Sequence, residues 1–194
     1  MSDDEPVETF YTEERWQNWL DRVAEEELDP ENEDSARLLL NLQDDAAIAV
    51  AKIVSAHEDD HLSESEAVEE LDDIAGIVSR EVAFEDEEKA MLIEGVQVSL
   101  DCVLYAAREY VAAGPAEDGT VEDYVRAAAD AEAEEDVDAA LGYVVQAGTL
   151  VIDGAELDMA VAEEIDYGLV SEWVNGLDSL QSAMADPEVV EAED

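Results

Sequence analysis

The chain has 194 residues, of which 56 are Asp or Glu and only 8 are Lys or Arg, giving a formal net charge of -48. Such a surface repels phosphate backbones, which disfavours DNA or RNA binding through a basic patch. A hydrophobic fraction of 47% is too high for a disordered polyanion, so the chain is expected to fold as one domain with a sizeable core.

The same charge predicts a setting. At low salt the surface repels itself, whereas at molar salt the screening length falls to about 3 Å and most of that repulsion is removed. The composition is that of a protein built for a salt-saturated cytoplasm. The opening Met1-Ser2-Asp3-Asp4-Glu5-Pro6 has neither the positive charge nor the apolar run of a secretory signal. No stretch reads as the roughly 20 apolar residues of a bilayer span, so a cytoplasmic protein without membrane contact is expected. The single Cys102 fits that compartment, and its apolar surroundings mark it as a small buried hydrophobe.

In chain order, residues 1–11 form an acidic arm, and Thr12 caps a first helix carrying Trp16, Trp19, Leu20 and Val23 at helical spacing, with an end near Leu28. Asp34 or Ser35 is the expected cap of a second helix, whose Leu39, Leu42, Ala46, Ala49 or Val50, and Ile53 make a core stripe that Leu38, Leu40 and Ile48 widen. Ser63-Glu64-Ser65-Glu66 has the spacing of a capping box and opens a third. A long fourth helix is predicted from about Glu87 to Ala113, stopped by Gly114-Pro115, and it is expected to be the central element. Thr120 starts a fifth helix.

Leu141 to Ile152 is ambiguous, because β-branched residues around Ala147-Gly148 suit a hairpin while Leu141, Val144, Val145, Gly148 and Ile152 suit a helix. Helix is preferred, since Asp136 caps it and nothing else in the chain offers a strand to pair with. Asp158 to Met184 reads as one broken helix or two shorter ones around Tyr167-Gly168, before an acidic tail over 186–194. The resulting expectation is an all-α bundle of six or seven helices over residues 12–185, packed around the second and fourth.

Few constellations carry chemistry. His57-Glu58-Asp59-Asp60-His61 matches the H-E-x-x-H zinc pattern literally, but Ser63 caps a new helix directly afterwards, so His61 cannot sit inside the helix that pattern requires. Glu58 and His61 also make one Glu-x-x-His pair of the kind used by di-iron bundles, without a second copy to complete it. No glycine run forms a phosphate loop, and no cofactor is expected. Trp16 and Trp19 stand one turn apart with Arg15 and Arg22, the residue types of interface hot spots, and are either a partner-binding face or the packing face of the helix. Arg37, Asn41 and Asp45 form a polar stripe on the second helix, read as an internal ion-pair and hydrogen-bond network.

Phe10-Tyr11-Thr12-Glu13-Glu14-Arg15-Trp16-Gln17-Asn18-Trp19-Leu20 and Ser35-Ala36-Arg37-Leu38-Leu39-Leu40-Asn41-Leu42-Gln43-Asp44-Asp45 resemble a small family of uncharacterised archaeal proteins with a domain of unknown function and many haloarchaeal members. The resemblance implies an archaeal cytoplasmic protein and supplies no activity. The functional expectation is therefore an interaction or regulatory module binding another protein or a second copy of itself. A metal-dependent enzyme centred on His57, Glu58 and His61 and a nucleic-acid-associated factor acting in high salt remain the alternatives.

Overall fold

Nearly every helix begins where the sequence supplies a side-chain oxygen for its first free backbone N–H groups. The computed structural model describes residues 10–29 and 31–185, and all regular structure among them is α-helical. Thr12 Oγ1 accepts from Arg15 N at 3.1 Å to open α1 (Glu13–Glu25), which ends three residues before Leu28. For α2 (Glu33–Glu58) the cap is Asn32, whose Oδ1 accepts from Asp34 N at 3.0 Å, not Asp34 or Ser35. The earlier start leaves Glu33 and Asp34 in the first turn, where their charge favours the helix dipole. It also frees Ser35 to accept from Asp29 N.

The capping box at Ser63 and Glu66 opens α3 (Glu64–Val78), with both reciprocal bonds formed. Asp86 caps α4 (Glu87–Ala113), and Gly114 ends it at φ 79°, a left-handed conformation that glycine adopts without strain. Thr120 caps α5 (Val121–Ala133) and Asp136 caps α6 (Val137–Ile152), so the 141–152 segment is helix. Its glycine has a packing role: a β-carbon on Gly148 would stand 2.5 Å from Ala106 Cβ on α4. The five-residue α7 (Ala160–Glu164) and α8 (Leu169–Ala185) follow, separated around Tyr167-Gly168.

The short α7 brings the described helices to eight, one more than the upper expectation. α4 packs against α2, α3, α6 and α8, and α2 packs against α3, α4 and α8, as the apolar stripes predict. α8 is a third hub, touching α2, α4, α5 and α6. α4 is also long and apolar enough by composition to cross a membrane, contrary to the reading from sequence, but half of its most apolar window is buried inside this bundle. Cys102 on α4 is fully buried, and that burial pushes its thiol pKa up, as expected for an inert core residue. Tyr11, the last residue of the predicted arm, is buried too. Arm residues 1–9 and the predicted tail 186–194 lie outside the described residues.

Candidate protein-interaction groove

The four residues expected on a partner-binding face of α1 divide. Trp16 is turned inward and is only 3% exposed, as the apolar period of Trp16, Leu20 and Val23 dictates for a helix docking on a core. It is a core residue and offers no surface to a partner. Trp19 is half-buried, and its Nε1 donates to Asp45 Oδ2 at 2.8 Å. Arg15 Nε donates to the same oxygen at 2.7 Å while its Nη2 pairs with the other carboxylate oxygen. Arg22 is exposed and lies over the Trp19 ring, 4.8 Å from its centroid, so its charge faces the π cloud.

These contacts make α1 a docked helix. Asp45 is buried on α2, and Arg15 compensates a carboxylate that would otherwise be too costly to keep charged there. The hydrogen bond to Asp45 raises the already high pKa of Arg15. Burial first, and the Asp45 charge second, push the Tyr11 hydroxyl up. Two further cations hold the same helix: Arg80 pairs with Glu13, and Lys89 Nζ donates to the carbonyls of Ala24 at 2.9 Å and Glu26 at 2.7 Å. The Arg37–Asn41–Asp45 stripe is not an internal network, because Arg37 and Asn41 are exposed and only Asp45 turns inward, toward α1.

The zinc-like segment is divided by the end of α2. His57 and Glu58 occupy its last turn, whereas His61 lies in the connection to α3. His57 Nδ1 is 3.0 Å from the Leu62 carbonyl, and Glu58 Oε1 accepts from the Tyr110 hydroxyl at 2.7 Å. Both side chains thus have structural partners. Among the described residues no group of three or more His, Cys, Asp or Glu side chains is placed to hold a metal ion.

A different place gathers exposed apolar side chains. Leu40 on α2, Met91 on α4 and Tyr167 just before α8 are 52%, 70% and 88% exposed, and all three line one groove of about 340 Å³. Its floor is fixed by polar contacts between the helices. Gln43 Nε2 donates to Ser179 Oγ at 2.9 Å and to the Asn175 carbonyl at 3.2 Å, and Ser99 Oγ donates to the Glu172 carbonyl at 2.8 Å. Leu39, Leu92 and Val96 form the apolar wall, while Glu172 and Asp178 supply its carboxylates. Four hollows are larger, two at about 560 Å³ and the others at about 450 and 360 Å³, but none gathers more than one exposed large apolar side chain. With so much of the surface acidic, three such residues at one concavity are a cluster rather than scattered apolar exposure.

The model of an uncharacterised protein family conserved in archaea, DUF2150, matches residues 9–193. The chain belongs to that family. No curated protein and no solved structure matches it. DUF2150 membership fixes kinship and supplies no activity.

In this DUF2150 chain sequence reasoning missed the groove because its members resemble core. Leu40 follows Leu38 and Leu39 directly, and Met91 sits at the head of the acid-poor run Ala90 to Ala107. One signal was present: three successive leucines point in three directions around a helix, so a helix with one face in solvent cannot bury them all.

Proposed function

We propose that this chain is a non-catalytic protein-interaction module of a salt-rich cytoplasm, and that its partner seats in the groove between α2, α4 and α8. The convergence of Leu40, Met91 and Tyr167 on one groove carries the reading. Covering apolar surface yields about 25 cal/mol per Å², a driving force that molar salt does not screen away. The net charge of -48 supports the salt-rich setting. Arg15, Trp19 and Arg22, by contrast, are engaged in seating α1 on its own body.

The test is affinity capture at molar KCl with the wild-type chain and with a Leu40→Ser/Met91→Ser/Tyr167→Ser variant whose helicity is checked by circular dichroism. The expected result is a partner held in near-stoichiometric amount by the wild type and lost by the folded variant. Equal retention by both would overturn the assignment. A partnerless chain carrying stoichiometric zinc or iron would replace it with the metal-dependent reading centred on His57, Glu58 and His61.

A further inference from the structure

We infer that the groove's occupant is a cationic amphipathic helix of another protein, presenting apolar side chains one turn apart with Lys or Arg beside them. The inference rests on reading the groove as a protein-binding site and specifies what binds there. Shape is the first argument. The walls are about two turns of α2, from Ala36 to Gln43, and about two turns of α4, from Met91 to Ser99. That length, roughly 11 Å, accepts anchors at i, i+3 or i+4, and i+7 of a helix lying between two helical ridges.

Charge is the second argument. Glu172 and Asp178 line the groove, and no Lys or Arg lines it. Most of the chain's eight cations are engaged elsewhere: Arg15, Arg80, Arg108 and Arg126 in ion pairs, Lys89 on the α1 carbonyls, and Arg22 on Trp19. An arriving cation therefore meets carboxylates with no Lys or Arg lining the groove to compete for them, the Tyr167 hydroxyl being a neutral donor to Glu172. Molar salt does not erase this preference, because charge-assisted hydrogen bonds form at about 2.8 Å, within the roughly 3 Å screening length.

The same charge disfavours the nearer candidates. Residues 1–9 and 186–194 contain acids and no Lys or Arg, so either end of the chain would set carboxylate against carboxylate. A second copy would bring another charge of -48 to the contact.

The test uses the full chain and three labelled peptides of about 18 residues sharing one leucine stripe, flanked respectively by Lys, Gln or Glu. Fluorescence anisotropy at molar KCl is expected to show the Lys peptide binding about tenfold more tightly than the Gln peptide, with the Glu peptide weaker still. Glu172→Gln/Asp178→Asn should erase the Lys preference, and Met91→Ser/Tyr167→Ser should abolish binding while helicity is kept. Equal affinity for the Lys and Gln peptides would overturn the cationic occupant and leave the groove as an apolar binding site. Lys-peptide binding unchanged in Met91→Ser/Tyr167→Ser would reveal general attraction to a polyanion and overturn the inference as well. So would a dimer in sedimentation equilibrium that Met91→Ser dissociates, since the occupant would then be a second copy. Failure of all three peptides, with groove-dependent capture of a cellular partner intact, would assign the occupant another chemistry. Loss of that capture in turn would sink the protein-binding reading itself.

Discussion

Gly176 on α8 lies against the carbonyl of Ser99 on α4 so closely that a β-carbon at 176 would penetrate the Ser99 oxygen. Ser99 completes the contact from its other end, its hydroxyl reaching the Glu172 carbonyl one turn earlier on α8. Two helix backbones thus meet directly beneath the groove.

Gly176→Ala tests that contact. Alanine in an exposed helix stabilises by up to about 1 kcal/mol relative to glycine, whereas overpacking against backbone costs about 1–3 kcal/mol. The expected net result is a loss of about 1–2 kcal/mol in denaturant unfolding at molar KCl. Gly142→Ala, on α6 with nothing near its would-be β-carbon, is the matched control and should gain stability. A Gly176→Ala chain as stable as the control would mean that α4 and α8 are not in backbone contact.

The buried Asp45 makes its own prediction. Arg15→Met leaves a carboxylate buried with only the Trp19 Nε1–H as partner, and should cost about 2 kcal/mol, discounted because the arginine is half-exposed. The double variant Arg15→Met/Asp45→Leu removes both charges and should recover part of that loss. Additive losses in unfolding experiments would show that the pair is not what seats α1.

Salt acts on the whole surface. Dilution from molar to tens of millimolar KCl lengthens the screening distance beyond 10 Å and exposes most of the acidic side chains to one another. Helicity at 222 nm is predicted to fall and the thermal midpoint to drop on dilution, reversibly. Full helicity and an unchanged midpoint without salt would contradict the salt-adapted reading.

Acid works in the opposite direction to its usual effect. Burial is the largest influence on the half-buried Asp44 and Asp101 and raises both pKa values, against hydrogen bonds from Ser179 and Ser79. A group with a raised folded pKa contributes stability that is complete below the ordinary aspartate range and is lost as the pH rises through the raised value. Stability at fixed KCl should therefore increase as the pH is lowered from neutrality toward those values. Glu66 has the opposite sign: bonds from the Ser63 backbone and hydroxyl lower its pKa, so its cap is lost only at the acid extreme, below the ordinary glutamate range. Asp44→Asn and Asp101→Asn should each flatten the gain measured by thermal unfolding across this range. Slopes identical to wild type would assign the effect to overall charge alone.

Helix boundaries were legible where a polar cap or a glycine stop stands against an apolar period. Gly114 bounds α4, and Ser63 with Glu66 opens α3, because those bonds are local. The cap of α2 lies two or three residues before the expected Asp34 or Ser35, because Asn32, Asp34 and Ser35 are all competent oxygens and only packing chooses among them. Spacing places Asp45 in a stripe on its own helix and carries no information about Arg15 thirty residues away. The hub role of α8 was equally invisible, depending on Gly176 and Ser179 meeting partners on other helices. In the sequence Tyr167 marks only a break between helices, and its place in one groove with Leu40 and Met91 exists only in three dimensions.

Cross-linking from the groove tests the interaction reading most directly. Because Cys102 is buried and its thiol pKa is raised, a maleimide-linked benzophenone should label only the new thiol of Met91→Cys, or of Glu69→Cys on the exposed face of α3 as control. Irradiation in a lysate held at molar KCl should join the position 91 probe to one protein that the position 69 probe does not capture, at a peptide carrying apolar residues beside Lys or Arg. Identical products from both positions, or none from position 91, would contradict a protein partner in the groove.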